Sequence, residues 1–309
     1  MSTDTDTPGG GVPHVHRIGI LLSRTKRLQI PALRYLILHL NCLQNVFEYE
    51  LLPNDAETTA ATAPLAALNV DEEIEDRLNL RDVGVPEFVR VYLPFLREES
   101  NRYRLKQSPP ENLIFISLAT FKDGYYSTRP NFDRTHPAKM SVLALGNWEN
   151  GMAPPSLLEF ILTLVLRESV AFVAPSLRTS IHLGTKGCIC DFTSTLEDAK
   201  YKALQGFVCE YCSYSLAQDG FPELAEFLTT ILRKDWLGRR SDPSSVAAIL
   251  GKLDYDLFVT KGLKPSASER WLKLLREEGT KQALELLGKL ALAAAIVYLS
   301  AHGIKLMQE

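Results

Sequence analysis

The segment HRIGILLSRTKRLQIPALRYLILHLNCLQNVFEYELLP, residues 16–53, decides the fold. Its first eight residues are an apolar, β-branched run that predicts a buried strand. The apolar positions that follow have helical spacing, with Pro31 near the start, and FEYELLP then alternates as a second strand does. A strand–helix–strand opening predicts an α/β fold in which helices pack on a sheet.

The rest of the chain extends this α/β pattern. ENLIFISLATF and KMSVLALGNWE predict two more strands, and PPSLLEFILTLVLRESVAFV predicts a strongly apolar helix with Ser156 as its N-cap. The charged segment 69–84 predicts a further helix that is closed by glycine. These patterns divide the chain into three regions: a disordered tail (1–16), an α/β domain (17–214) and a helical C-terminal region (215–309).

Composition narrows the classes of function. The net charge is −3, so no basic surface favours nucleic acid, and no Gly-x-Gly-x-x-Gly supports a dinucleotide site. The polar N-terminus lacks the apolar run of a secretory signal, which predicts a cytoplasmic protein. In that reducing compartment, clustered cysteines indicate metal binding or redox chemistry, whereas the isolated Cys42, in an apolar helical pattern, is predicted to be a packed core thiol.

Four of the five cysteines occur in GCICDFTSTLEDAKYKALQGFVCEYC, as a C-x-C pair and then a C-x-x-C pair. Zinc takes four ligands in a tetrahedron, usually thiolate sulfur and imidazole nitrogen. Cys209 and Cys212 form the usual chelating pair. Cys188 supplies a third ligand, and the fourth is either His182 or Cys190. The predicted cofactor is therefore Zn²⁺.

A closed set of four protein ligands leaves no open position, which is typical of structural rather than catalytic zinc. A redox-active C-x-x-C pair and plain core cysteines are the alternatives. A redox pair usually begins a helix beside a β-α-β unit, where the pKa of one thiol falls. The turn-like QGFV before Cys209 does not predict that context, so the sequence favours a structural metal site.

The stretch HLGTKGCICDF, followed by CEYC, resembles a known family. Archaemetzincin-type metallopeptidases combine a catalytic HExxHxxGxxH helix with a second zinc site, C-x4-C-x-M-x-F and then C-x-x-C. Cys188, Cys190 and Phe192 fall on the end of that first cysteine pattern. His182 falls where the last catalytic histidine stands, and Leu183 where the first structural cysteine stands. The resemblance implies a metzincin-like mixed sheet with packed helices and a structural zinc segment, followed by a small all-α region.

This chain departs from the family at the catalytic helix. A metzincin needs His-Glu-x-x-His, so that two imidazoles reach one ion and a glutamate acts on water. The matching stretch is RESVA, in which Arg167 and Ala171 replace the histidines and Glu168 keeps the glutamate. A guanidinium cannot bind zinc. The resemblance, which covers residues 17–212, therefore implies a degenerate domain in which His182 is free to bind the structural zinc.

These features predict a non-catalytic pseudo-peptidase that acts by binding a protein or a small ligand. An active zinc peptidase with atypical ligands is the alternative, with Glu168 as its catalytic candidate. Otherwise we expect Glu168, beside Arg167 on its helix, to belong to a satisfied ion pair or to lie at the surface. The loop KDGYYSTRPNFDRTHP carries the side chains that are candidates to line the remnant cleft: Asp123, Tyr125, Tyr126, Arg129, Asp133 and His136.

Residues 284–304 form the most apolar helical pattern of the C-terminal region. The nearly uncharged stretch 290–304 would span about 22 Å, shorter than the ~30 Å hydrocarbon core of a bilayer. Three roles are open for this helix. It packs in a core, it mediates self-association or binding to a protein partner, or it anchors a regulator to a membrane.

Overall fold

The computed structural model describes residues 15–23, 28–53, 73–74, 85–129, 139–148, 154–179, 182–183 and 187–255, together with the single residues 279 and 289. The chain divides into two units, Met1–Leu263 and Lys264–Glu309. The predicted tail, except its last two residues, and the predicted helix 284–304, except Lys289, lie outside the described residues. The helices and strands whose bounds are described all belong to the first unit.

A five-stranded mixed sheet forms the centre of this α/β unit. The strands in chain order are β1 (His16–Leu22), β2 (Phe47–Leu51), β3 (Glu73–Ile74), β4 (Asn112–Ser117), β5 (Thr120–Phe121), β6 (Ser127–Thr128), β7 (Lys139–Ala144), β8 (His182–Leu183) and β9 (Asp191–Phe192). The sheet has the order β2-β1-β4-β7-β6, and only its edge strand β6 runs antiparallel. Two parallel pairs, β3 with β5 and β8 with β9, lie apart from it.

Seven α-helices have described bounds. They are α1 (Ile30–Leu43), α2 (Val85–Arg102), α3 (Leu157–Val173), α4 (Leu196–Gln205), α5 (Glu210–Gln218), α6 (Leu224–Arg233) and α7 (Val246–Lys252). None of these helices is long and apolar enough to span a bilayer.

The sheet is buried on both faces. Ile18 and Ile20 belong to a large core with α1 and α3, whereas Leu21, Leu113 and Phe115 belong to a second core with α2. Successive side chains of a strand point to opposite faces, so a strand covered on both sides must be apolar throughout. This requirement explains the uninterrupted apolar run of β1. α6 and α7 pack into the large core as well.

The main elements confirm the predictions. The strand–helix–strand opening is β1, α1 and β2, with β1 parallel to β2. α3 begins at the predicted cap: the Ser156 hydroxyl accepts from the Glu159 N–H, and the Glu159 carboxylate accepts from the Ser156 N–H. This reciprocal arrangement is a capping box. All but two residues of α3 are buried, as its apolar sequence predicts.

Three predictions were wrong or incomplete. Within the predicted helix 69–84, Glu73 and Ile74 form β3, because pairing with β5 overrides the local charge pattern. The helix α2 was not predicted, since Pro94 interrupts its apolar pattern. Cys42 is exposed. It lies about 200° around α1 from the buried Leu40, on the opposite side of the helix.

Candidate metal centre and adjoining cavity

The four side chains first named as zinc ligands converge on one point. His182 lies in β8, Cys188 in the turn before β9, and Cys209 and Cys212 at the start of α5. One imidazole nitrogen and the three sulfurs all lie within 4.8 Å of one another. This cluster can therefore hold a metal ion. No second group of this kind occurs in the described residues.

The donor atoms have spacings that suit tetrahedral coordination. His182 Nε2 lies 3.3 Å from Cys209 Sγ and 3.6 Å from Cys212 Sγ. With metal–sulfur bonds of about 2.3 Å and metal–nitrogen bonds of about 2.0 Å, a tetrahedron separates nitrogen from sulfur by about 3.6 Å. These two distances are therefore compatible with one tetrahedral metal ion at the cluster.

The backbone around the cluster donates hydrogen bonds to Cys188. Its sulfur accepts the N–H of Cys190 at 3.5 Å and the N–H of Cys209 at 3.4 Å. The contact with Cys209 holds this sulfur beside the N-terminus of α5. The Cys190 thiol stands outside the four-residue group. Hydrogen bonds with Cys188 and Cys212 lower its pKa.

Asp191, which sequence reasoning did not single out, orients the imidazole. Its Oδ1 lies 2.5 Å from His182 Nδ1, and neither atom has another hydrogen-bond partner in the described chain. Its Oδ2 accepts the N–H of Gly187 at 2.6 Å. Gly187 has a φ of 74°, which favours glycine, so the turn that places this N–H depends on that residue. A carboxylate on Nδ1 leaves Nε2 to face the sulfurs.

Asp191→Asn is expected to weaken metal binding by about tenfold or more, because outer carboxylates of this kind typically contribute 10–100-fold in affinity. Competition with a coloured zinc chelator measures the effect. Asp198→Asn is the matched control, since Asp198 is exposed and bonds to the N-cap Thr195 of α4. Equal affinities of the two variants would show that Asp191 does not orient His182.

The C-x-x-C pair does begin a helix, contrary to the sequence interpretation. Cys209 is the N-cap of α5, and Phe207 before it forms a β-bridge with Cys188. Helix position alone therefore does not separate a redox pair from a metal site. The convergence of His182 and Cys188 on the same point favours the metal site, because a redox pair needs no further ligands.

Glu168 is buried and paired, but not with Arg167. Its carboxylate accepts two hydrogen bonds from Arg129, from Nε at 2.5 Å and from Nη2 at 2.6 Å. Arg129 Nη1 donates to the carbonyl of Arg178. Glu168 is 2% exposed, so a charge in this position requires such a partner. The expectation that Glu168 belongs to a satisfied ion pair is confirmed, and the alternative of a surface position is wrong.

The pKa of Glu168 is below its ordinary value. Burial raises the pKa, but the charges of Arg129 and Arg167 and the hydrogen bonds from Arg129 outweigh that effect. A general base works best with a pKa close to the working pH, and the pairing with Arg129 moves the pKa of Glu168 away from it.

A cavity of about 220 Å³ adjoins this ion pair. Of the loop residues predicted to line a cleft, Tyr125, Tyr126 and Arg129 do so and Asp123 does not; Asp133 and His136 lie outside the described residues. The remaining walls come from β6, α3, α4 and the segment around β9: Ser127, Thr128, Leu164, Arg167, Glu168, Asp191, Phe192, Thr193 and Lys202.

Lys202 is a cavity residue that sequence reasoning missed. α4 buries Leu196, Ala199, Lys202 and Ala203, so the lysine stands on the apolar face of the helix. Burial and the neighbouring Arg167 lower its pKa to about 8. A lysine at a core position of an amphipathic pattern was the signal that could have identified it.

The chemistry of the metal centre and of the cavity follows from the residues that form them. Comparison with protein-family models, curated proteins and solved structures found no match. Arg167 and Ala171, which flank Glu168 in RESVA, supply no metal ligand. Glu168 between them is bound to Arg129. The arrangement can hold one metal and a small ligand beside it.

Proposed function

We propose that this protein is a non-catalytic pseudo-peptidase: a metzincin-like domain that is stabilised by a structural zinc and acts by binding. The observation that supports this function is the state of Glu168. In a peptidase this carboxylate would act on a metal-bound water. Here two hydrogen bonds and an ion pair with Arg129 occupy it. The residue that could act as a base instead forms part of the wall of a binding cavity.

Zinc is the metal that this donor set favours. Three thiolates and one imidazole in a tetrahedral arrangement are typical of structural zinc, whereas hard cations prefer oxygen ligands. All four ligands come from the protein, which leaves no position for water or substrate. The zinc would tie β8, the turn before β9 and the start of α5 together.

The purified full-length protein is expected to contain one zinc per chain after dialysis and to show no chelator-sensitive peptidase activity. Elemental analysis gives the metal count, and unstructured fluorogenic peptides give the activity. Cys42→Ser is the matched control, because it removes an exposed thiol without touching the cluster. Two zincs per chain, or a peptidase activity that Glu168→Gln abolishes, would overturn the proposal.

A further inference from the structure

The cavity contains more cationic groups than its carboxylates engage. Arg129, Arg167 and Lys202 line it, and so do Glu168 and Asp191. Glu168 is engaged by Arg129, and the two oxygens of Asp191 face His182 and the backbone of the metal turn. Among the described residues, Arg167 and Lys202 therefore line the cavity without a carboxylate that is hydrogen-bonded to them.

Three donors of the cavity wall lack partners in the described chain. Arg167 Nη1 has none, although its Nη2 donates to the Thr179 carbonyl at 3.0 Å. Thr128 Oγ1 has none either. Within the same described residues, no hydrogen bond or ion pair engages Lys202 Nζ. The three residues are 3%, 4% and 5% exposed, respectively.

Arg167 Nη1 and Thr128 Oγ1 are unusual in a folded protein, because a buried donor without an acceptor loses its hydrogen bonds to water. The charge of Glu168 acts on both Arg167 and Lys202, but its hydrogen bonds go to Arg129, so no described carboxylate is bound to either cation. The charge of the Cys190 sulfur raises the pKa values of both Arg167 and Lys202, but Cys190 does not line the cavity. All three residues line the cavity, so an acceptor bound there would lie next to Arg167, Thr128 and Lys202.

We infer that this cavity binds a small oxyanion group, a carboxylate or a phosphate, through Arg167, Lys202 and Thr128. The inference rests on the proposed function, since it names the ligand class of that binding site. Arg167 and Lys202 supply charge-assisted donors, which are the strong ones toward such oxygens, and Thr128 supplies a hydroxyl.

The size of the cavity limits the ligand. Its volume of about 220 Å³ is below the roughly 300–1,000 Å³ of pockets that hold drug-sized molecules. A free anion or the charged end of a small metabolite therefore fits it better than a folded partner. The Arg129–Glu168 pair is internally neutral and Asp191 faces His182, so the attraction for an anion comes from Arg167 and Lys202.

Titration of the zinc-loaded full-length protein with inorganic phosphate and, separately, with acetate tests the inference. Calorimetry and thermal shift are measured at constant ionic strength, with sodium chloride as the balancing salt. At least one of the two anions is expected to bind and to raise the melting temperature. In Lys202→Met its Kd is expected to rise about tenfold or more, which corresponds to about 1.4 kcal/mol.

Two further variants make the result specific. Lys200→Met is the matched control, because Lys200 lies on the same helix but does not line the cavity. It should bind as the wild type does. Thr128→Val keeps the shape of the side chain, removes the hydroxyl and should also weaken binding. The inference is rejected if neither anion binds, or if Lys202→Met and Lys200→Met respond alike, since the effect would then come from the general surface.

The anion titration and the test of the proposed function can fail independently. Binding of phosphate alone identifies a phosphate site, and binding of acetate alone a carboxylate site. A single-zinc, inactive protein that binds neither anion rejects only this inference. Peptidase activity in the same preparation would reject the proposed function, whatever the anions do.

Discussion

A chain in which Cys209 and Cys212 are both replaced by serine is expected to lose its metal and to melt more than about 10 °C below the wild type. Structural zinc contributes about 10–16 kcal/mol to the folding of zinc-finger peptides, and part of that applies here because a large core also exists. A loss of about 5 kcal/mol would remove a third or more of the usual stability of a domain.

Thermal unfolding followed by circular dichroism, with zinc measured in the same samples, checks this prediction. Cys42→Ser should keep both the zinc and the melting temperature, because Cys42 is exposed and outside the cluster. Cys190→Ser should keep the zinc if His182 is the fourth ligand, and should lose it if Cys190 is. A double variant that melts with the wild type would show that the site does not stabilise the fold.

Arg129→Met is expected to destabilise the protein by about 3–5 kcal/mol, because it leaves the Glu168 carboxylate buried without its bidentate partner. A shift of about 2–4 °C per kcal/mol makes this a fall of roughly 6–20 °C in melting temperature. Arg90→Met, at an exposed ion pair with Glu87, is the matched control and should melt as the wild type does.

The double variant Arg129→Met/Glu168→Leu should recover much of the loss, since removal of both partners leaves no unpaired charge. An Arg129→Met variant as stable as the wild type would contradict the role of the pair.

Acid titration gives a second measurement of the ion pair between Arg129 and Glu168. The folded pKa of Glu168 lies below its ordinary value of 4.5. The contribution of the pair is therefore complete above that value and is lost as the pH falls through the folded pKa. The double variant should lack this component.

The sequence identified the four residues of the cluster because metal chelation constrains spacing along the chain. Cys209 and Cys212 are three residues apart, and that separation alone brings two sulfurs to one ion. His182 and Cys188 were placed by position relative to that pair, and the structure brings them together with it. The choice between His182 and Cys190 could not be made from spacing, because both lie within a few residues of Cys188.

The cavity was harder to predict, because its contacts join distant parts of the chain. Arg129 and Glu168 are 39 residues apart, and nothing in RESVA indicates which cation the glutamate meets. Arg129 was expected to line a cleft. Its pairing with Glu168 depends on the tertiary fold, which brings the end of β6 next to α3. The helix α2 was missed for a local reason, since proline near its centre obscured the apolar period.

Asp191 connects two parts of the molecule that have been described separately. Its carboxylate contacts the imidazole of the metal cluster, and its side chain is also a wall of the cavity. A residue shared in this way gives a route for communication between the two sites. Any change that bound zinc makes in the affinity of the cavity must be matched by an equal change that a bound anion makes in the affinity for zinc, because such coupling is reciprocal.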